Sequence, residues 1–388
     1  MRRALCLMAT MATVGVMSQP LIVNNDGFSY FYTGTLSDAA SLRDYALSFR
    51  GTNVEILEWC VGSSRVNYPS QFTELIGHKV EQAPRRGDRR AADMYRDLYV
   101  GGVDSLRVVA DACREAGIKC YASLRANPYY GAGWAAEYFN ADFWRNNPQL
   151  RVRGQDGQDR VKLSYAFPET RAFHLALIME MLQRGVDGIQ IDFLRHPPFV
   201  GWEKPVADDF QRLHAEDVTK VGGDDERLQR LWCSYVSDFL RQVRAITQAA
   251  SAQQGKPIGV AVRIDDQHTG DWGLDPATWC KEGLVDIVCV GRHSLGGYAL
   301  DIAPFAQMAQ GTKVRIFASE EHITGGHDTT PAEDKAAAQG KPVPQERSHL
   351  SHEDYETRAE RWTAQGAVGV HVFNNPSDWE LFATLGGR

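Results

Sequence analysis

Eight short apolar segments alternate with longer amphipathic segments along this 388-residue chain. The short segments are rich in β-branched residues and almost continuously apolar, as parallel strands are when helices cover both faces of their sheet. They lie at residues 20–25, 54–61, 119–125, 188–193, 258–264, 286–291, 313–318 and 367–373. Helical periodicity is found between them at residues 105–116, 171–184, 231–250, 278–282, 298–310 and 354–365. This alternation predicts an α/β protein with a parallel sheet.

The links from helix to strand differ from the links from strand to helix. Each helix-to-strand link is short and contains a glycine, which can end a helix in the left-handed conformation without a steric penalty. These glycines are Gly51, Gly117, Gly185, Gly255, Gly283, Gly311 and Gly366. The strand-to-helix links are long and polar, at residues 61–104, 126–170, 196–226 and 321–352. Short links at one end of the strands and long links at the other predict a (β/α)8 TIM barrel, with its active site in the long βα loops.

Other classes of protein fit the sequence less well. A doubly wound nucleotide-binding sheet is the alternative fold, but no GxGxxG or GxxxxGK[ST] motif follows the first strand or occurs elsewhere. The 42 basic and 49 acidic residues give a net charge of −7, so we expect no nucleic-acid partner. The arginine-rich residues 85–90, which are flanked by acidic residues, are predicted to form a solvated lid. Residues 329–346 are predicted to form a mobile loop of low complexity.

The first 18 residues are typical of a secretory signal peptide. Arg2 and Arg3 precede a short apolar run, and the small residues Val16 and Ser18 occupy the −3 and −1 positions of a cleavage site. We therefore expect a secreted or periplasmic protein in which residues 19–388 form one (β/α)8 catalytic domain. No other apolar run approaches the roughly 20 residues of a membrane span. The sequence leaves the oligomeric state open.

Polar residues stand at the carboxyl end of every predicted strand. In a barrel these positions face the ligand, and the apolar run has no structural reason to stop there. The predicted catalytic carboxylates are Asp192, Asp265 and Glu320. The predicted substrate-binding residues are Asp26, Glu58, Trp59, Arg125, Asn127, Arg195, Arg263, Arg292, His293 and Asn374. The aromatic candidates for stacking on sugar faces are Trp59, Tyr129, Tyr130 and Trp134.

Four of these residues are arginines: Arg125, Arg195, Arg263 and Arg292. Taken singly, each could form a structural ion pair with a neighbouring carboxylate. Taken together, they could clamp a carboxylate or sulfate on a sugar, because arginine offers planar bidentate donors. The arginines therefore leave open whether the ligand is neutral or anionic.

Asp192 is the most specific local signal. It follows a buried strand core and precedes Pro197-Pro198, and the next predicted helix begins some thirty residues later, so helix capping does not explain it. The segment Gly185-Val-Asp-Gly-Ile-Gln-Ile-Asp-Phe-Leu-Arg-His-Pro197 resembles the fourth-strand segment of the family 10 glycosyl-hydrolase-like proteins. That family is related to the α-galactosidase and α-amylase barrel superfamily. The resemblance implies that Asp192 is the nucleophile.

The resemblance leaves the acid/base residue open, since relatives place it on strand five or strand six. Strand six of this chain ends at Gly291-Arg292-His293 without a carboxylate, so Asp265 on strand five and Glu320 on strand seven are the candidates. We expect a glycoside hydrolase that uses two carboxylates on an oligo- or polysaccharide, with uronate or sialate as possible anionic sugars.

Two alternatives remain open. One is a metal-assisted hydrolase or lyase that uses Asp192 with His293 and Glu320. The other is a carbohydrate-binding barrel without catalysis, because a fold does not determine a function. Isolated histidines on separate strands are more typical of hydrogen-bonded residues, and no Cys/His ligand spacing occurs, so we expect no metal and no cofactor.

Overall fold

The computed structural model describes residues 19–62, 64–78, 83–292, 299–325, 330–342 and 348–385. The predicted signal peptide at residues 1–18 and the predicted site residue His293 lie outside these ranges.

Eight parallel strands form a closed barrel. The strands of the described chain are β1 Leu21–Asn25, β2 Val54–Gly62, β3 Lys119–Arg125, β4 Arg151–Arg153, β5 Asp159–Leu163, β6 Gly188–Asp192, β7 Gly259–Asp265, β8 Ile287–Gly291, β9 Arg315–Glu321 and β10 Gly369–Phe373. The barrel order is β1-β2-β3-β6-β7-β8-β9-β10, and β10 pairs with β1 to close it. The predicted (β/α)8 fold is confirmed. β4 and β5 form a separate antiparallel hairpin that the sequence analysis did not predict.

Helices surround the barrel and fill parts of the long links. They are α1 Ser29–Thr33, α2 Ala39–Leu47, α3 Arg86–Val100, α4 Ser105–Ala116, α5 Gly133–Phe139, α6 Asp142–Asn146, α7 Pro168–Leu182, α8 Lys204–His214, α9 Glu226–Gln254, α10 Pro276–Glu282, α11 Ala303–Ala309, α12 Pro331–Ala338, α13 His352–Ala364 and α14 Trp379–Thr384. Within the described ranges, no helix combines the length and the apolar character that crossing a membrane requires.

Two stretches that were predicted to be loops are helical. The arginine-rich residues 86–90 begin α3, which buries an apolar stripe containing Ala91, Tyr95 and Leu98. The first turn of α3 is polar, so the sequence analysis did not detect the apolar stripe that follows it. In the stretch 329–346, α12 begins with a capping box, in which the Thr330 side chain accepts from the Glu333 amide and the Glu333 side chain accepts from the Thr330 amide.

The barrel interior is filled in layers because successive strand residues point to opposite faces. Near the amino ends of the strands, Tyr121 fills the space beside Gly188 and Gly259, where an added Cβ would lie within 2.4 Å and 2.0 Å of the Tyr121 side chain. An apolar layer that includes Ile22, Ile56 and Phe317 follows. The outward residues pack against the helices in the main core. The next layers toward the carboxyl ends are polar, and they carry the candidate site.

Candidate active site

A hydrogen-bonded polar layer crosses the barrel beneath its mouth. Glu58 Oε2 accepts from Asn24 Nδ2 at 3.0 Å and lies 2.9 Å from His371 Nε2. His371 Nδ1 lies 2.8 Å from Ser319 Oγ, which fixes the orientation of the ring. Glu58 and His371 are completely buried. Glu58 therefore lies below the mouth, within the barrel packing, rather than at the predicted substrate-binding position.

Asp192 occupies the layer above, at the mouth. Alternation along β6 directs Gln190 and Asp192 inward and Ile191 outward. Asp192 lies between two arginines, since its Cα partners are Arg125 on β3 and Arg263 on β7. The side chain is 2% exposed, and its Oδ1 accepts from the Leu194 amide at 3.1 Å. The strand register thus places one carboxylate between two guanidinium groups.

Arg263 is a buried cation, and two of its nitrogen donors have no acceptor among the described residues. Its Nε lies 3.4 Å from Asp192 Oδ1, which makes an ion pair without a hydrogen bond. Its guanidinium carbon lies 3.6 Å from the centroid of the Phe373 ring. Among the described residues, Arg263 Nε and Nη1 have no hydrogen-bond partner, and neither does Arg125 Nε. Buried donors without partners are costly, so these atoms suit an acceptor that arrives with a ligand.

Arg195 and Glu321 form a second ion pair at the mouth. Arg195 Nη2 lies 2.9 Å from Glu321 Oε2, and Asn374 Nδ2 donates to Glu321 Oε1. Arg195 also lies over the Phe373 ring, at 5.0 Å. Burial and the nearby Arg263 charge lower the pKa of Arg195 from its usual value. Like charges have therefore been brought close together in this part of the barrel.

Glu320 does not face the mouth, contrary to the prediction. β9 directs Ser319 and Glu321 inward, so Glu320 points outward to α13, where Arg358 Nη1 lies 3.0 Å from its Oε2. The Glu320 side chain is 0% exposed. The carboxylate that β9 presents at the mouth is therefore Glu321, which the sequence analysis did not select.

Asp265 ends β7 two residues after Arg263 and faces the same side of the barrel. Its Oδ1 accepts from the amides of Gln267 and His268 at 2.9 and 3.1 Å. Strand spacing and rise place the Cα atoms of Asp192 and Asp265 roughly 8 Å apart. The structure thus brings Asp192, Arg263 and Asp265 to one sector of the mouth.

Four further predicted substrate-binding residues also contact other parts of the protein. Asp26 accepts from the amides of Phe28 and Ser29 at the start of α1, at 2.9 and 2.7 Å. Asn127 donates to the carbonyls of Leu163 and Pro198 and accepts from the Leu163 amide, so it ties the hairpin to the loop after β6.

The other two are Trp59 and Arg292. Trp59 points outward into the core, 6.4 Å from the Tyr45 ring, because its neighbour Glu58 points inward. Arg292 makes a two-pronged ion pair with Asp266, with Nε 2.8 Å from Oδ1. Arg292 thus forms the structural ion pair that was the alternative to a clamp, and the prediction of an anion clamp is left with Arg125, Arg195 and Arg263.

Among the aromatic candidates for stacking, Tyr130 lies in the loop after β3. It is partly exposed and contacts His196 at 5.8 Å and Phe139 at 5.2 Å between ring centroids. Tyr129 is buried against Trp144. The Arg85 guanidinium lies 5.1 Å from the Trp134 ring.

Two non-glycine residues at the mouth have left-handed backbones. His196 has φ 67° and directly follows Arg195, and Asn374 has φ 60° and donates to Glu321. This conformation is uncommon outside glycine and is enriched at functional sites, where the surrounding structure holds it. The two residues lie in the loops that follow β6 and β10.

Within the described chain, one group has the spacing of metal ligands. Glu58, Cys289 and His371 offer atoms within 4.8 Å of one another, all of them buried. The pair Glu58–His371 is already hydrogen-bonded, and the buried Arg263 cation interacts with Cys289. The alternative ligand set of Asp192 with Glu320 is not assembled, because Glu320 faces α13.

Comparison with known proteins supports the fold. No family model matches the chain, and no curated protein matches it. A β-galactosidase from the psychrophilic Marinomonas ef1 is similar over 92% of this chain and 54% of its own, with a TM-score of 0.54 and 11% identity. A β-galactosidase from Rahnella sp. R3 is similar over 93% and 51%, with a TM-score of 0.48 and 10% identity.

A family 18 N-acetylglucosaminidase from Paenibacillus barengoltzii is similar over 94% of this chain and 99% of its own, with a TM-score of 0.46 and 10% identity. The present chain spans about half the length of the two β-galactosidases. At an identity of 11%, the similarity to the Marinomonas enzyme shows a shared fold. The resemblance to the family 10 proteins stays a prediction.

Proposed function

We propose that this protein is a glycoside hydrolase that cleaves O-glycosidic bonds at the mouth of the barrel. The observation that carries the proposal is Asp192, a nearly buried carboxylate held between Arg125 and Arg263 at the carboxyl end of β6. Catalytic residues of TIM-barrel enzymes occupy this end of the strands. The β-galactosidase with the same fold is consistent with that chemistry.

In the proposed mechanism Asp192 is the anionic residue. Its carboxylate attacks or stabilises the oxocarbenium-like carbon, and a second carboxylic acid protonates the leaving oxygen. Glu321 has both oxygens engaged, one by Arg195 and one by Asn374, and would have to break these contacts to deliver a proton. Asp265 also accepts hydrogen bonds, from the Gln267 and His268 amides, but it lies on the strand next to that of Asp192, whereas Glu321 lies three strands away. We therefore assign proton donation to Asp265 and the positioning of Arg195 to Glu321.

We further propose that the substrate carries an anionic sugar of the uronate or sialate type. Three arginines and three carboxylates lie at the mouth, the carboxylates being Asp192, Asp265 and Glu321. The donors Arg125 Nε, Arg195 Nε and Arg263 Nη1 have no hydrogen-bond partner among the described residues. A sugar carboxylate or sulfate supplies the missing acceptors, in the planar geometry that an arginine can bind with two hydrogen bonds.

The test is Asp192→Asn, assayed on a panel of neutral and acidic aryl glycosides. The amide conserves shape but removes the charge, so we expect kcat to fall at least about a thousandfold, roughly 4 kcal/mol of transition-state stabilisation. Asp111→Asn, which alters an exposed carboxylate on α4, is the matched control. Near-normal turnover of Asp192→Asn would overturn the assignment. Sugar binding without turnover by the wild-type protein would favour the carbohydrate-binding barrel instead.

A further inference from the structure

A cavity of about 820 Å³ lies beside the mouth, outside the residues assigned above. One wall is the β4–β5 hairpin with Arg153, Asp156 and Arg160, and the opposite wall contains Trp202 from the link after β6 and Asp271 from the link after β7. These two links also follow the strands that bear Asp192 and Asp265. The cavity is thus built from βα loops, at the same end of the barrel as the candidate site.

The aromatic wall is held in place by hydrogen bonds. Trp202 Nε1 donates to the Val221 carbonyl at 3.2 Å, and its ring packs edge-to-face on Trp232 with 5.0 Å between centroids. Trp232 Nε1 in turn donates to the Gly201 carbonyl at 2.8 Å. Trp202 is partly exposed and lines the cavity. A fixed aromatic surface binds a ligand at a low entropic cost.

The hairpin wall is anchored from its tip. Gln155 Nε2 donates to the carbonyls of Thr219 and Val221, at 3.3 and 3.2 Å. The Val221 carbonyl therefore receives bonds from both walls, which fixes the width of the cavity. A turn containing Asp156 and Gly157 leads into β5, with Gly157 at φ 75°.

The polar groups of the cavity are balanced in charge. Arg160 Nη2 lies 3.0 Å from Asp156 Oδ2, and Arg153 Nε lies 3.1 Å from Asp159 Oδ1. The Asp271 carboxylate lies 2.7 Å from His268 Nδ1. These side chains are about half exposed, so their planar donors and acceptors reach solvent. Balanced charge beside an aromatic face suits a polyhydroxylated, uncharged ligand rather than an ion.

We propose that this cavity is a carbohydrate subsite that holds uncharged sugar residues of a polymeric substrate away from the cleavage point. Trp202 supplies the stacking surface, and the Arg160–Asp156 pair supplies hydrogen bonds to sugar hydroxyls. The proposal rests on the proposed function for its polymer, but its residues take no part in the cleavage chemistry. A polymer therefore binds more tightly than a short substrate. An aryl glycoside is too short to contact the cavity, so its turnover does not depend on the cavity residues.

Affinity electrophoresis tests the proposal directly. The gels contain galactomannan, hydroxyethyl cellulose, polygalacturonate or hyaluronan, and the protein carries Asp192→Asn so that no polymer is cleaved. We expect at least one polymer to retard the protein, and Trp202→Ala to raise the apparent Kd about tenfold. Arg160→Ala, at an exposed position, gives an independent loss if Trp202→Ala disturbs folding. Tyr99→Ala, an exposed aromatic residue on α3, is the matched control and should leave retardation unchanged.

The second measurement is kcat/KM on an aryl glycoside with Asp192 intact, which Trp202→Ala should change less than twofold. Unchanged retardation in both cavity variants, or retardation by none of the polymers, overturns the subsite. Retardation that depends on Trp202, in a protein that hydrolyses no glycoside, upholds the subsite and refutes the proposed function. If hydrolysis depends on Asp192 but retardation does not depend on Trp202, the proposed function is upheld and the subsite is refuted.

Discussion

The outward direction of Glu320 leads to a prediction about stability. Burial raises the pKa of this carboxyl to about 7, although Arg358 acts in the opposite direction. Because the folded pKa is above the unfolded value, the folded protein holds a proton that the unfolded chain releases. The resulting stabilisation is complete below about pH 4.5 and is lost as the pH rises through 7. Glu320→Gln carries no such proton and should lack this pH dependence.

The size of the effect follows from the two pKa values. A rise from 4.5 to about 7, at about 1.4 kcal/mol per pKa unit, sets a ceiling of about 3.5 kcal/mol. Between pH 5 and pH 8 the wild-type protein should lose about 2 to 3 kcal/mol more unfolding free energy than Glu320→Gln. Urea unfolding followed by tryptophan fluorescence at the two pH values measures this difference. The same pH dependence in both proteins would refute the reasoning, and a loss of turnover in Glu320→Gln would return Glu320 to the catalytic site.

Three further substitutions test the assignments at the mouth. Glu321→Gln should lower kcat/KM on an acidic substrate about ten- to hundredfold, because Arg195 loses its charged partner; a variant as active as Glu320→Gln would show that Glu321 has no role. Arg263→Lys should raise KM for acidic glycosides at least about tenfold and for neutral ones much less, since a lysine lacks the planar pair of donors that binds a carboxylate with two hydrogen bonds, and equal effects on both would argue against an anionic sugar. Asn127→Ala should lower the unfolding free energy by about 2 to 4 kcal/mol without changing KM, and a change in KM at constant stability would place Asn127 in the substrate site.

The barrel could be predicted from the sequence because the information is local. Each strand is an apolar run, and each short link carries a glycine that ends a helix, so neither signal depends on distant residues. The hairpin was missed although its turn signal, Asp156-Gly157 between two polar strands, is present in the sequence. Its strands are only partly buried and lack an apolar run, so a search for buried apolar strands does not find them.

The site was only partly predictable, because a side chain's direction depends on the phase of its strand. Glu58 and Trp59 were both assigned to the site, yet consecutive strand residues cannot face the same side, and this much could have been deduced. The choice between Glu320 and Glu321 needed more, namely the pairing of β9 with β10 that sets Ser319 opposite His371. The Arg292–Asp266 pair likewise depends on contact between separate loops.

The polar layer of Asn24, Glu58, Ser319 and His371 limits how this protein can be redesigned. Directed evolution of specificity often randomises residues beneath a binding site as well as those around it. Here a single apolar replacement would leave a buried carboxylate or imidazole without its partner, which costs about 3 to 5 kcal/mol when the remaining group is charged. Libraries confined to the β4–β5 hairpin and the links after β6 and β7 avoid that loss. The residues of the polar layer should be kept unchanged, and substitutions should be made in the loops.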